Sequence, residues 1–535
     1  MLRPNLLFSL AVTALFTSSL LADEGHHHSL TPEELGTVHF ATSCSPKVEA
    51  EFNRGVALLH SFWYEEADKA FHKVAQDDPK CAMANWGVAM SSYHQLWDYP
   101  ERDALAAGDK LLSKAEAMKA TPREQAYIHA LHAYFKNSAK TNSTEQDSQA
   151  RVAAYSDAMK QVVTDHTDDQ EAIVFYALSL LASEAPHDTT FANRKKAAPL
   201  LEDLLDKEPN HPGVAHYLIH AYDKPQLAEL GLNAARKYAK IAPASPHALH
   251  MPSHIFARLG LWQDDINSNL ASIAATRDSA AMHMGDVGHQ FHAMDFLVYA
   301  YMQSCREAEV QKVIAELPGL KGVDDHEHAY SAAKFPSLYT LEMRHWEEAA
   351  ALPLMPGDYR FANALIHFAR AIGAARSGKI EAARADMKEI EKLRQSLIAD
   401  KKQEAADGID RLQKEAAAWV AWADGKRDQG VKSLRVVADA QDAEGPEQAG
   451  IPAREMLADM LLEMNHPQEA LEAYELSLQA DPGRFNGLYG AAQAAGKLGK
   501  EDVEEKFYGQ MVKNCEGSNS DRPELKKAEA EVAQK

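Results

Sequence analysis

The chain has 535 residues, 46% hydrophobic and 25% charged, with 27 Gly and 23 Pro; these are globular proportions and argue against collagen-like, low-complexity and disordered chains. It is too long for one compact core, so several domains or a repeat array is expected. Acidic residues outnumber basic ones, 78 against 56, and a net charge of −22 repels polyanions, which argues against nucleic acid and anionic membrane surfaces as partners.

Residues 1–22 read as a secretory leader: Arg3 is the positive start, Leu6 to Ala22 carries no charge, and Ala22 before Asp23 offers a cleavage point. The apolar stretch is marginal for a membrane span, and no later stretch is longer. The mature protein is therefore expected to be periplasmic or secreted, with no membrane span after cleavage. The His26-His27-His28 run reads as a solvated linker within an N-terminal segment, 23–50. Export permits disulfides among the four cysteines. A Cys44–Cys81 bridge would pin this segment to the first helical hairpin, whereas Cys305 and Cys515 read most simply as free buried thiols. No Cys-x-x-Cys is present.

From residue 50 the apolar spacing is helical almost throughout, in short Ala- and Leu-rich stretches separated by Pro, Gly, Asn and Asp, with no convincing strand pattern. Gly55, Ala67, Phe71 and Pro79 punctuate the first hairpin, and Ala458, Ala470, Tyr474 and Pro482 a second good copy. In this pattern the chain resembles the tetratricopeptide repeat (TPR), with weaker copies turning at Gly260, Gly378, Gly425 and Gly499. Cys81-Ala-Met-Ala-Asn-Trp86-Gly87 also resembles a motif of exported bacterial repeat proteins, which implies location and fold and brings no chemistry. The resemblance implies an all-α solenoid of about ten to twelve antiparallel helix pairs, a TPR-like superhelix. Its expected segments are a His-rich array over 51–320, middle repeats over 321–445, a C-terminal TPR pair over 446–515 and a frayed tail over 516–535. Breaks are expected near 317–322, 352–357 and 444–446.

Histidine is the unusual residue: 25 in all, 20 of them before residue 301, and nine between 211 and 292. His216 and His220 are four apart, as are His250 and His254, while His289 and His292 are three apart. Such spacing puts each pair on one helix face, where two imidazoles reach one ion. Imidazole suits zinc, copper and iron, so a divalent transition metal is the cofactor these pairs suggest. The TPR resemblance implies a concave groove lined by the first helix of each pair at positions 2, 5, 9, 12 and 13. His250 and His254 take positions 5 and 9, His220 position 12, His60 position 13 and His94 about position 12; His216, at position 8, should pack against a neighbour. The turn after His289 and His292 lacks Gly, which leaves their register open. His250-Met-Pro-Ser-His254 matches Lys334-Phe-Pro-Ser-Leu338, 84 residues on, without the histidines, so the Pro-Ser device is structural and the histidines are extra.

Asp223, Asp286 and Asp295 are the acidic candidates, Asp295 as a further ligand or as the acceptor that orients an imidazole. His39, His72, His132, His166, His187, His345, His367 and His466 read as ordinary core or rim residues, and His326 and His328 as a helix start. The aromatics of the first hairpins, among them Phe62, Trp63, Tyr64, Trp86, Tyr93 and Trp97, read as inter-repeat packing. Zinc-protease, nucleophile-elbow, phosphate-loop, dinucleotide and c-type haem motifs are missing. Two functions lead: an exported scaffold that binds a peptide or protein in a His-lined groove, with a transition metal there, or a metal-dependent enzyme, oxidative or hydrolytic, whose active site is the cluster of 211–292; periplasmic metal storage or sensing is the third.

Overall fold

A computed structural model describes residues 30–96, 99–136, 145–185, 188–282, 284, 288–445 and 449–534. The leader over 1–22, the His26–His28 run, Trp97, His187, Asp286 and Pro446 lie outside the described residues. The described residues form an all-α solenoid in which consecutive helices pack against one another from Glu49 to Ala533. The first helices of successive pairs also touch, so each pair stacks on the next. No helix here is long and apolar enough to cross a membrane.

The hairpins follow from small residues facing large rings. A Cβ at Gly55 would lie 2.8 Å from the Phe71 ring, and one at Gly490 2.2 Å from Tyr474, so the side-chain-free positions let neighbouring helices close up. Many of the hairpins turn on a residue in the left-handed region. Gly260, Gly378, Gly425 and Gly499 do this without a Cβ, while Phe62, Cys305, Arg344 and Asn465 do it with side chains. The turn after His289 and His292 is therefore made by Cys305, at φ 60°.

Cys44 is bonded to Cys81 as expected. Cys305 and Cys515 are not free thiols: they form a second disulfide across 210 residues. Sequence spacing concealed it because the solenoid folds back on itself. Trp262 Nε1–H donates to the Gly483 carbonyl at 3.1 Å, and the buried Arg484 guanidinium reaches Glu342 at 2.6 Å and Glu455 at 2.8 Å. Two disulfides point to an oxidising, non-cytoplasmic environment. Beyond Cys515 the chain is not frayed, because Leu525 and Ala528, three apart among charges, dock the helix Pro523–Ala533 onto Glu501–Asn514.

The N-terminal part winds tightly. Helix Pro212–Tyr222 returns to touch Glu49–His60. The inner space between is filled by Phe40, Phe52, Trp86, Tyr127 and Phe175, whose rings meet at 4.9 to 6.5 Å. Trp86 packs here as its spacing suggested, and Tyr93 stacks on Tyr134 with centroids 3.9 Å apart. The histidine cluster lies where this closed turn meets the next hairpins.

Candidate metal centre

Helix Pro212–Tyr222 presents His216 and His220 one turn apart. The following hairpin is broken at Met251: Pro246–His250 ends, Pro252 starts a second short helix through Arg258, and the break separates His247 and His250 from His254. Pro336, the matching proline, sits inside the unbroken helix Asp325–Glu342. Helix His289–Gln303 then brings His292 across.

These residues make two trios, not one group of four. In the inner trio, His216 Nε2 lies 3.0 Å from Nε2 of both His220 and His247. In the outer trio, His254 Nε2 lies 3.0 Å from His250 Nε2 and 3.3 Å from His292 Nε2. The rings of His247 and His250, one from each trio, have centroids 6.3 Å apart. His216, His247 and His250 are buried, His220 and His254 half-buried, and His292 is exposed.

The second nitrogens are held by partners that fix the tautomer. His250 Nδ1–H donates to Asn269 Oδ1 at 2.6 Å; Asn269 is oriented in turn because its Nδ2 donates to Asp265 Oδ1 at 2.6 Å. His254 Nδ1–H donates to Asp223 Oδ2 at 2.9 Å, and Arg258 Nε donates to the other oxygen at 3.2 Å. His216 Nδ1–H donates to the His60 carbonyl at 2.6 Å. Each pinned imidazole therefore turns a bare Nε2 lone pair toward its neighbours.

Burial holds His216, His247 and His250 well below the ordinary imidazole range, with neighbouring histidines adding to it, and burial brings His220 down to about 3. Burial pushes the Asp223 carboxyl up, but His254 and Arg258 outweigh it and keep it ionised far into acid. His216, His220, His247 and His250 are thus neutral imidazoles, and Asp223 stands as a carboxylate behind His254, the arrangement that orients a metal-bound histidine.

A third cluster shows the contrast. Val214 N–H donates to His211 Nδ1 at 3.3 Å, so His211 Nε2–H donates to Glu171 at 3.0 Å. His60 Nε2–H donates to the same carboxylate at 3.0 Å and accepts the Tyr217 hydroxyl on Nδ1 at 2.9 Å. Every polar atom there has a partner, and no ion is called for.

The other candidates go elsewhere. His60 serves through its carbonyl rather than its ring. His94 stacks on Tyr64 with centroids 4.2 Å apart. Asp295 pairs with Lys334 at 2.6 Å. His289 joins neither trio, its ring centroid lying 5.0 Å from that of His247. Sequence reasoning missed His247 and Asn269. The turn residues give the signal for the first: His247 precedes Gly260 by 13 residues, and His292 precedes Cys305 by the same 13, so both take position 2 of successive hairpins.

No family model and no curated protein matches this chain. Among solved structures it is similar over 91% of its length to yeast Tom70, covering 96% of that chain at 10% identity with a TM-score of 0.31. A monomeric IFIT1 mutant with Gppp-AAAA is similar over 88% of this chain and 96% of that one, at 12% identity and TM-score 0.32. The TPR domain of P58(IPK) is similar over 91% and 99%, at 13% identity and TM-score 0.20. At these scores the likeness adds nothing to the helical-repeat architecture described above.

Proposed function

We propose that this chain is an exported helical-repeat scaffold, periplasmic or secreted, that holds a divalent transition metal between His250, His254 and His292. One observation carries the reading. His250 and His254 each donate their Nδ1–H to a fixed acceptor, so two bare Nε2 atoms face each other at 3.0 Å. Two lone pairs at that distance repel unless a cation lies between them. A tetrahedral ion at about 2.0–2.1 Å from each nitrogen sets neighbouring ligand atoms roughly 3.3 Å apart, close to the separations here.

Three imidazoles leave a fourth coordination position. His292 lines a cleft of about 440 Å³ walled by Phe291, Tyr330, Tyr359 and Phe361, with Asp295 at its edge. That cleft gives a partner peptide or a small molecule access to the ion.

The test is elemental analysis of untagged protein from its native compartment, together with Zn²⁺ and Co²⁺ titration of the chelator-treated chain. Stoichiometric metal should vanish in a His250→Ala, His254→Ala double variant. Metal-free protein whose melting is unchanged by added zinc, copper or iron would show that a shared proton, not a metal, joins these imidazoles.

A further inference from the structure

The inner trio has its own evidence, independent of the outer one. His216 is fully buried, and its Nδ1–H is committed to the His60 carbonyl at 2.6 Å, from a hairpin 156 residues earlier. Its Nε2 therefore carries a lone pair in the ring plane. That one atom lies 3.0 Å from His220 Nε2 and 3.0 Å from His247 Nε2. A single in-plane lone pair accepts one well-aligned hydrogen bond. Hydrogen bonding thus accounts for one of the two close neighbours and leaves the second crowding it. A cation shared by all three nitrogens accounts for both.

The setting differs from that of the outer trio. Phe62, in the left-handed conformation at φ 53°, stacks on His220 with centroids 5.6 Å apart and on His247 at 5.4 Å, and meets His216 edge-on at 4.4 Å. Tyr238 stacks on His216 at 5.0 Å. A non-glycine residue held left-handed costs on the order of 1 kcal/mol or more and persists only where its surroundings demand it. Here it places an aromatic wall against three imidazoles. The outer trio meets an open cleft through exposed His292; the inner trio is enclosed by rings.

We propose that His216, His220 and His247 hold a second transition-metal ion, so that the chain carries a two-ion centre with a closed inner position and an open outer one. This deepens the reading of the outer trio as a metal site. Closed sites keep their ion for structural ends, while open ones exchange and bind exogenous ligands. The inner ion ties the first hairpin, through the His60 carbonyl, to helix Pro212–Tyr222 and to the hairpin bearing His247. The outer ion is the one a ligand in the cleft reaches.

The experiment uses the full chain, stripped with chelator, reloaded with Zn²⁺, desalted and assayed for metal per chain, with Co²⁺ absorption as a second readout. Wild type should hold two equivalents, His247→Ala one, His292→Ala one, and the combined variant none. The ion left in His292→Ala should pass to excess chelator at least tenfold more slowly than the ion left in His247→Ala. His345→Ala, at an exposed rim position, should keep two. His220→Gln, at a half-buried position, repeats the inner test should His247→Ala fail to melt cooperatively. One equivalent in wild type, lost with His292→Ala but untouched by both inner variants, would overturn the inner site and leave the outer one standing. No metal in wild type overturns both. Equal release rates from the two positions would overturn the closed-and-open assignment.

Discussion

Asp223 shows how a residue that is not a ligand governs one. Its Oδ2 accepts the hydrogen bond from His254 Nδ1–H at 2.9 Å, and Arg258 donates to the other oxygen at 3.2 Å. The carboxylate thereby fixes ring orientation and raises the electron density on Nε2. Asp223→Asn keeps the shape but removes the charge, and should weaken zinc binding by about 10- to 100-fold, read by competition with a chromogenic chelator. Unchanged affinity would mean that packing alone orients His254. Asn269→Ala should act in the same direction through His250, because Asn269 supplies that ring's only fixed amide acceptor at 2.6 Å. The pairs at 216/220 and 250/254 were legible as i, i+4 spacing, and Asp223 stood out as a nearby carboxylate. Asn269 was not legible, since a neutral amide 19 residues along in the next helix carries no spacing signal. His247 was obscured by the break at Met251, which sends it to His216 instead of to the His250–His254 pair one turn along.

At the scale of elements, a left-handed turn residue sets the register of the hairpins it closes, and its identity decides how much the sequence discloses. Where Gly makes the turn, as at Gly260 and Gly378, the hairpin could be placed by eye; where Phe62, Cys305, Arg344 or Asn465 makes it, nothing in the residue type announced it. Cys305 is the instructive case, because the residue that hid the register of His292 also bonds Cys515. In the chain-entropy picture, closing 210 residues stabilises by about 5 kcal/mol and closing the 37 of Cys44–Cys81 by about 4 kcal/mol. Cys305→Ser with Cys515→Ser should therefore lower the melting temperature more than Cys44→Ser with Cys81→Ser, in parallel calorimetry on metal-free protein. The reverse order would place the stabilisation in native packing around the N-terminal bridge. Arg484 closes the same junction from inside. It is fully buried and bonds Glu342, Glu455, the Tyr299 hydroxyl and the Gly450 carbonyl. Arg484→Ala leaves two buried carboxylates without their cation and should cost about 3–5 kcal/mol, measured by urea unfolding. Adding Glu342→Gln and Glu455→Gln should recover most of that loss; no recovery would mean that the lost packing of the arginine dominates.

Across the whole molecule, winding converts scattered histidines into one buried row, and that row makes stability depend on acid in a definite direction. His60, His216, His220, His247 and His250 are all held below the ordinary value of 6.5, burial being the largest cause in each, with His220 at about 3. In the unfolded chain these imidazoles take up protons near 6.5; in the folded metal-free chain they stay neutral until the pH is far lower. As pH falls below 6.5 the unfolded state binds more protons than the folded one, so stability falls, by up to about 1.4 kcal/mol per pH unit for each group. Asp481 acts the other way: burial raises its carboxyl to about 6, so the folded state gains a proton between that value and the ordinary 3.8. Asp265, Glu455, Asp442 and Asp68, also raised by burial, act with Asp481, while His292, brought down to about 3, joins the five histidines. The ordinary value of these six imidazoles lies inside the window from pH 7 to 5, so they set the net direction there as acid lability. The metal-free protein should lose stability steeply from pH 7 to 5 in urea titrations, with a slope approaching several protons. His247→Phe, which fills a buried site with a ring that does not titrate, should shallow that slope by about one proton. Metal-loaded protein should resist the first part of the fall and then lose it together with the metal, since protons and the ion compete for the same lone pairs. A melting temperature flat between pH 7 and 5 in the stripped protein would mean that these imidazoles protonate freely in the folded chain, which the close Nε2 contacts of both trios do not allow.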